Sequence, residues 1–343
     1  MDSVFIDGSS GEGGGQILRT SLTLACITGK AVHIENIRAA RRNPGLARQH
    51  LSCVRAARQI CNGRCIGDEL GSQVLDFRPG HIQNANYSFD IGSAGSASLV
   101  IQTVLPALFL TDKPSTVAVT GGTHNPMAPP FDFLRESFLP AISAGGFWAD
   151  CKLIKHGFFP AGGGRITFNI QSRQRNAEHE INLCRPQDKP KIHARIYTTR
   201  LPSHIARRQK KLLLDSNLPI EKIEHIEVTD SDGPGNCVML RLIGGGRTTI
   251  FTAFGQRGKP SEKVVGQVVG CAKDFLSGDA AIDSFLADQL LIYLAITKSG
   301  CFTTNEISGH LTTNMETIKK FLPVDFDISH EMPYKIICLP RTN

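Results

Sequence analysis

Val4-Phe5-Ile6-Asp7-Gly8-Ser9-Ser10-Gly11-Glu12-Gly13-Gly14-Gly15-Gln16-Ile17-Leu18-Arg19 passes from a short apolar run through a glycine-rich turn into a helical pattern. Val4-Phe5-Ile6 predicts a strand. From about Gln16 onward, Ile17, Leu18, Leu22, Leu24 and Ala25 fall on the apolar side of a helix that stops at Gly29. Val32-His33-Ile34 predicts the next strand. The same order returns at Phe89-Asp90-Ile91, the turn Gly92-Ser93-Ala94-Gly95-Ser96, and a helix through Leu99, Val100, Val104 and Leu108. Another strand follows at Val117 to Val119. Sheets backed by helices follow from this alternation.

The remaining pattern extends the series. Pro44 fits a first helical position, opening a helix with Leu46, Leu51, Val54 and Ala57 inward. Leu75-Asp76-Phe77 and Tyr87-Ser88-Phe89 read as strands flanking a Pro-Gly turn. Pro129-Pro130 opens a helix carrying Phe133, Leu134, Phe138, Leu139 and Ile142. Ala280 to Ile296 is strongly helical, followed by Ile318 to Leu322 and an end strand from Tyr334 to Leu339. Three related units are expected, although their sequences are too dissimilar to prove duplication. Between about 183 and 275, strand-like runs (Lys191 to Thr198, Cys237 to Leu242, Thr248 to Phe254) surround a basic helix near His204 to Leu214. We therefore expect an α/β (α+β) fold: a large domain, residues 1–182 and 276–343, with a small α/β insert at 183–275.

Length and composition agree. The 343 residues suit about two domains, and 41% hydrophobic with 20% charged residues is globular rather than disordered or fibrous. Leu99 to Leu110, the most apolar stretch, is interrupted by Gln102 and Thr103 and is too short to span a membrane. The opening Met-Asp-Ser-Val-Phe-Ile-Asp-Gly has no basic n-region or apolar h-region, so a cytoplasmic address is the default expectation. The ten cysteines are scattered, mostly beside apolar residues, as buried free thiols would be. Cys61 and Cys65 lack a second Cys or His pair at ligand spacing, so no zinc site is expected.

The net charge of +7 is unevenly spread. Between Glu35 and Asp68 there is no acid, while Arg38, Arg41, Arg42, Arg48, Arg55, Arg58 and Arg64 supply seven positive charges. Solvated faces usually mix both signs, and guanidinium suits bidentate phosphate recognition, so a polyanion partner is favoured over a plain basic face. Gly255-Gln256-Arg257-Gly258-Lys259-Pro260 has the wrong spacing for a P-loop, and Gly11 to Gln16 does not complete a dinucleotide fingerprint. The glycines from Gly8 to Gly15 nonetheless let backbone N–H groups approach an anion at a helix start. Glu12 among them would repel bare phosphate but makes sense if a divalent cation lies between. A tight turn with a surface Glu fits the same residues, and both remain open on this segment alone. Of eleven histidines, His310 has small and hydroxyl-bearing neighbours, Ser308-Gly309-His310-Leu311-Thr312-Thr313-Asn314, ahead of a helix.

Several blocks together resemble the RNA 3′-terminal phosphate cyclase family. They are Gly11 to Arg19; Ile37-Arg38-Ala39-Ala40-Arg41 with Pro44-Gly45-Leu46 and Gln49-His50; and Ile91 to Ser96 with Gln102-Thr103. Gly121-Gly122-Thr123 with Asn125 and Ala128-Pro129-Pro130, then His156-Gly157-Phe158 with Pro160 to Gly164, continue the match. Leu286-Ala287-Asp288-Gln289 and His310 to Asn314 complete it. The blocks stand in family order across nearly the whole chain except the insert.

The resemblance implies ATP-dependent conversion of an RNA 3′-phosphate to a 2′,3′-cyclic phosphate, with a divalent cation (Mg or Mn). It assigns His310 as the nucleophile that becomes covalent histidine–AMP, Glu12 as the metal ligand, and Arg19 and Arg41 to the catalytic phosphates. Arg38, Arg41 and Gln49 would line the RNA-end pocket. Gln102, Phe285, Leu286, Ala287, Asp288 and Gln289 would bind ATP, with Pro129 flanking the adenine. Phe285 stands where close bacterial relatives carry Tyr, keeping a stacking surface but losing a hydroxyl; no role attaches to His124. The implied fold is three repeated units plus an insert of four strands and two helices, similar to that of enolpyruvyl-transferases, whose chemistry is unrelated. The alternative is a non-catalytic cyclase-like RNA-binding or ribosome-assembly protein. Such proteins lack the nucleophilic histidine, which this chain keeps. Whether the chain forms a homodimer stays open.

Overall fold

The computed structural model describes residues 3–173 and 179–341. The first unit comprises β1 (Ser3–Asp7), α1 (Gly15–Thr28), β2 (Ala31–Glu35), α2 (Arg48–Ile60), β3 (Arg64–Ile66) and β4 (Leu75–Arg78), its sheet ordered β1-β2-β4-β3. The second repeats that plan. It has β5 (Asn86–Asp90), α3 (Ala97–Leu108) and β6 (Ser115–Gly121), then a helical rod and the strands β7 (Ala149–Lys155) and β8 (Gly164–Ile170). The rod is α4 (Phe131–Phe133), a π turn (Leu134–Phe138) and α5 (Leu139–Ser143), and the sheet is ordered β5-β6-β8-β7.

The third unit is split. Its first strand, β9 (Asn182–Leu183), is followed by β10 (Lys191–Thr199), α6 (Ser203–Leu214), β11 (Ile220–Glu227), β12 (Gly235–Gly244), β13 (Arg247–Phe254) and α7 (Ser261–Leu276). These form a separate sheet, β11-β10-β12-β13. Only then come α8 (Ser284–Thr297), β14 (Cys301–Thr304), α9 (Gly309–Phe321), β15 (Val324–Ile328) and β16 (Tyr334–Pro340). The third sheet reads β9-β14-β16-β15, the order of the other two. In all three the first two strands pair in parallel and the rest antiparallel.

The helices bury their apolar faces against these sheets in one core shared by all three units, from Ile17 and Leu22 through Val104 and Phe138 to Tyr293 and Ile318. A second core, including Ala194, Leu240, Val268 and Phe275, lies between the inserted sheet and α6 and α7. The other face of that sheet sends Tyr197, Cys237, Met239 and Ile250 into the main core.

Several sequence expectations shift. Pro44 lies four residues before α2 rather than at its first turn; the left-handed Gly45 that follows (φ +78°) cannot belong to a helix start. The Pro-Gly turn does not join a hairpin, because β4 and β5 belong to different sheets. Ala280 to Ile282 precede α8, which Asp283 caps by accepting the Phe285 and Leu286 N–H groups. Leu183, expected to open the insert, pairs with Phe302 in the third sheet, and the boundary at 276 cuts the last turn of α7. Strand β11 carried no signal, since Ile220, Ile223 and Ile226 are interleaved with charge. All ten cysteines are free. Among the described residues no helix is long and apolar enough to cross a membrane.

Candidate active site

The turn between β1 and α1 depends on its glycines. Gly11 and Gly13 adopt φ of +54° and +56°, a region that side chains resist, which folds the loop tightly and leaves Glu12 facing outward. The Glu12 N–H donates to Thr313 Oγ1 on α9 at 3.2 Å, so the loop is tied to the third unit. Ser308 caps α9 by accepting the Leu311 N–H at 3.1 Å. His310, expected ahead of a helix, stands inside this first turn with its ring exposed.

Two neighbours orient that ring. Nδ1 lies 2.9 Å from Gln16 Oε1, and Gln16 Nε2 donates to Asp288 Oδ2 at 3.3 Å. The Gln16 amide directs its N–H to the Asp288 carboxyl and presents its oxygen to the imidazole. Nδ1 is then the donor and Nε2 keeps a lone pair, a tautomer assigned from the network. Nε2 faces Glu12, whose Oε2 is 4.0 Å away. A Cβ on Gly309 would come within 2.6 Å of Glu12 Oε1, so only glycine leaves the carboxylate this berth.

Arginines gather on the other side. Arg41 donates to the Glu12 carbonyl at 3.4 Å and places a guanidinium nitrogen 3.9 Å from Glu12 Oε2. Arg19, one turn into α1, is half-buried, and burial lowers its pKa; among the described residues no carboxylate pairs with it. Burial, together with the charges of Arg19 and Arg38, pushes the His50 imidazole down to about 3. His50 is therefore neutral, packed so close to Gly15 that a Cβ there would lie 2.3 Å from Nε2.

A small open cleft of about 70 Å³ lies beside this cluster, lined by Gln16, Arg19, Gln102, Asp288, Gln289 and Asn314 among others. Gln102 donates to Gln289, whose own amide donates to the Phe285 carbonyl at 2.6 Å. Burial pushes the Asp288 carboxyl up to about 7 against the pull of Arg19. Asn314 donates to the Asp288 carbonyl (2.7 Å) and accepts from Thr20 (2.8 Å), fastening α8 and α9 to α1.

Glu12, Arg19, Arg41, Gln102, Asp288, Gln289 and His310 thus converge from three units. Other candidates do not. Leu286 and Ala287 are core residues, 4% and 0% exposed, because the helical period that turns Asp288 and Gln289 toward the cleft turns these two inward. Phe285 is 60% exposed and Pro129 half-buried ahead of α4; neither lines the cleft. Arg38 donates to the Gly45 carbonyl at 2.7 Å, a tie within its own loop, and Gln49 accepts the Ser96 N–H at 2.7 Å, joining α2 to the second glycine turn. Sequence reasoning missed Gln16, His50 and Asn314 as site residues. Asn314 follows His310 by four positions and so shares its helix face, the one signal that marked it.

The match to known proteins is extensive. The family model described as RNA 3′-terminal phosphate cyclase covers residues 10–328. The chain belongs to the RNA 3′-terminal phosphate cyclase family. Relatives carrying that name include those of Pseudomonas fluorescens, 42% identical over 94% of both chains, and Koribacter versatilis, 43% identical over 96% of this chain and 93% of its own. That of Ralstonia nicotianae is 42% identical over 97% and 95% respectively. Near-complete coverage carries the cyclase match through the insert, where the motif blocks were faintest. The cyclase blocks quoted from the sequence include the glycine turn, the arginine loop and the first turn of α9, the three segments that meet around His310.

Proposed function

We propose that this cyclase, acting in the cytoplasm, converts an RNA 3′-terminal phosphate to a 2′,3′-cyclic phosphate using ATP, through histidine–AMP formed on His310. The observation that carries the proposal is the exposed His310 ring, held through Nδ1 by Gln16 so that Nε2 offers a lone pair beside Glu12 and Arg41. A neutral imidazole is nucleophilic near pH 7.

In the first step Nε2 bonds to the α-phosphorus of ATP while the bond to the leaving pyrophosphate breaks. In the second, an oxygen of the RNA 3′-phosphate displaces the histidine, breaking phosphorus–nitrogen and forming a phosphoanhydride. In the third, the neighbouring 2′-hydroxyl attacks the RNA phosphorus, its proton passing to solvent, as the phosphoanhydride P–O bond breaks and AMP leaves. A phosphate monoester dianion has no good leaving group, and adenylation supplies one. Covalent catalysis divides the difficult transfer into easier displacements.

The residues supply binding and charge. Arg19 and Arg41 neutralise phosphate oxygens; Gln102, Asp288 and Gln289 hold the nucleotide in the adjoining cleft. Arg38 and Gln49 keep donors for the RNA end beyond those used within the fold. Among the described residues no three His, Cys, Asp or Glu side chains converge as a preformed metal cage. The single carboxylate of Glu12 fits an ion of the magnesium type, which takes its other ligands from phosphates and water. When bound, such a cation would offset phosphate charge next to Glu12.

The direct test is incubation of an RNA oligonucleotide bearing a 3′-phosphate with ATP and magnesium. Conversion of the end to a phosphatase-resistant form with release of AMP is expected. An unchanged, phosphatase-sensitive end would overturn the proposal.

A further inference from the structure

Helix α2 leaves the candidate active site with an exposed, basic outward face. Its inward residues, including Leu51, Val54, Ala57 and Ile60, are buried in the main core. Its N-terminal end is fixed at the site: His50 packs behind Gly15, Gln49 accepts from Ser96, and Arg48 donates to the Gly92 carbonyl at 3.2 Å. From there Arg48, Ser52, Arg55 and Gln59 follow at intervals of four, three and four residues, one stripe along the helix. Arg48, Arg55 and Gln59 are exposed. Every side chain of the stripe can donate a hydrogen bond and none is acidic.

The charges are uncompensated. Among the described residues neither Arg48 nor Arg55 has an ion-pair partner, whereas Arg58, off the stripe, is paired with Asp68 at 2.7 Å. Arg48 and Arg55 are separated by about 10 Å along the helix axis, enough to meet successive phosphates rather than one. We propose that this face of α2 holds the single-stranded RNA leading into the site, Arg48 and Arg55 contacting backbone phosphates upstream of the reacting 3′ end. The inference rests on the RNA-cyclising function proposed above. It adds a surface that grips only substrates long enough to reach it. Backbone contacts of this kind bring affinity and salt dependence without sequence preference.

The test compares a dinucleotide and a 12-mer, both ending in 3′-phosphate, with Arg55→Ala and Arg55→Glu. Arg55 touches none of the groups assigned to nucleotide or metal, and its exposed position spares the fold. For the 12-mer we expect KM to rise about 3- to 10-fold in Arg55→Ala and further in Arg55→Glu, with the salt slope of binding reduced by about 0.7. The kcat for both substrates and the KM for the dinucleotide should match wild type. Equal KM values for the 12-mer in wild type and Arg55→Glu would overturn the surface, as would an equal loss on both substrates. Fluorescence anisotropy with the labelled 12-mer separates the two proposals. Binding that weakens in Arg55→Glu, in a wild-type protein that cyclises neither RNA, would support the surface and refute the reaction. Binding insensitive to Arg55→Glu in an active enzyme would do the reverse.

Discussion

The His310 ring owes its orientation to neighbours rather than to burial. The ring is exposed, and its orientation comes from Gln16, itself held by Asp288. Replacing Gln16 by Met keeps the side-chain volume but removes the acceptor for Nδ1–H, so both tautomers are populated and the ring is no longer aimed. Single-turnover adenylation should slow by about 10- to 100-fold, because the reacting nitrogen is no longer held in its productive direction. Circular dichroism and melting temperature should stay unchanged, and an adenylation rate equal to wild type would show that Gln16 only fills space. At this scale the sequence was partly legible. Glu12, Asp288 and His310 stand in short blocks of distinctive composition. Leu286 and Ala287 stand in an equally distinctive block, and only the fold reveals that their side chains fill the core. A motif reports that a segment matters; side-chain direction decides which of its residues faces a ligand.

Helix ends do most of the positioning. Gly11 and Gly13 turn the chain into α1, Ser308 starts α9, and the two ends meet where Glu12 lies against Gly309. A Cβ at Gly309 would strike only the tip of a flexible, partly exposed carboxylate, so Gly309→Ala should fold normally. Glu12 must swing away, and adenylation should drop by about 10-fold or more while stability changes by less than about 1 kcal/mol, since Ala also favours the helix. Chemical denaturation and an adenylation assay check the two halves. Full activity would mean that the position of Glu12 does not matter. Elements themselves were legible wherever an apolar run was long, as in α1, α3 and α8. Helix α9 was read only in its second half. Its first turn is Gly309-His310-Leu311-Thr312, too polar for an apolar stripe, and it exists because Ser308 caps it and Leu311 is buried.

The molecule as a whole brings distant segments together, and the inserted sheet must be held against the second unit for the architecture to persist. A buried cluster does this. Asp132 on α4 accepts from His124 (3.0 Å), Tyr197 (2.9 Å) and Arg195 (3.1 Å), while Glu136 on the π turn pairs with Arg195 and Arg241. Burial alone would raise the Asp132 pKa, but the hydrogen bonds from His124 and Tyr197 and the charges of His124 and Arg135 hold it well below the usual carboxylate range. Unfolded, the carboxyl titrates at its ordinary 3.8, so its charge stabilises the fold at every pH above about 4 and this contribution fades as acid protonates it. Asp132→Asn should cost about 1.5–3 kcal/mol at neutral pH, by removing the buried charge to which His124, Tyr197 and Arg195 donate, and the gap from wild type should narrow below pH 4. Urea denaturation across pH measures both; a gap of under about 1 kcal/mol at pH 7 would show that the cluster is incidental. The repetition of the first unit in the second was legible in the recurring strand, glycine turn and helix. The division of the third unit around the insert was not, because β9 has two residues and gains its identity only by pairing with β14. What the three units assemble is one exposed imidazole held by Gln16 beside Glu12. Incubation with α-labelled ATP and magnesium, then denaturing electrophoresis, should yield an acid-labile, alkali-stable label on the wild-type chain and none on His310→Ala. Label of equal intensity on the His310→Ala protein would contradict that assignment.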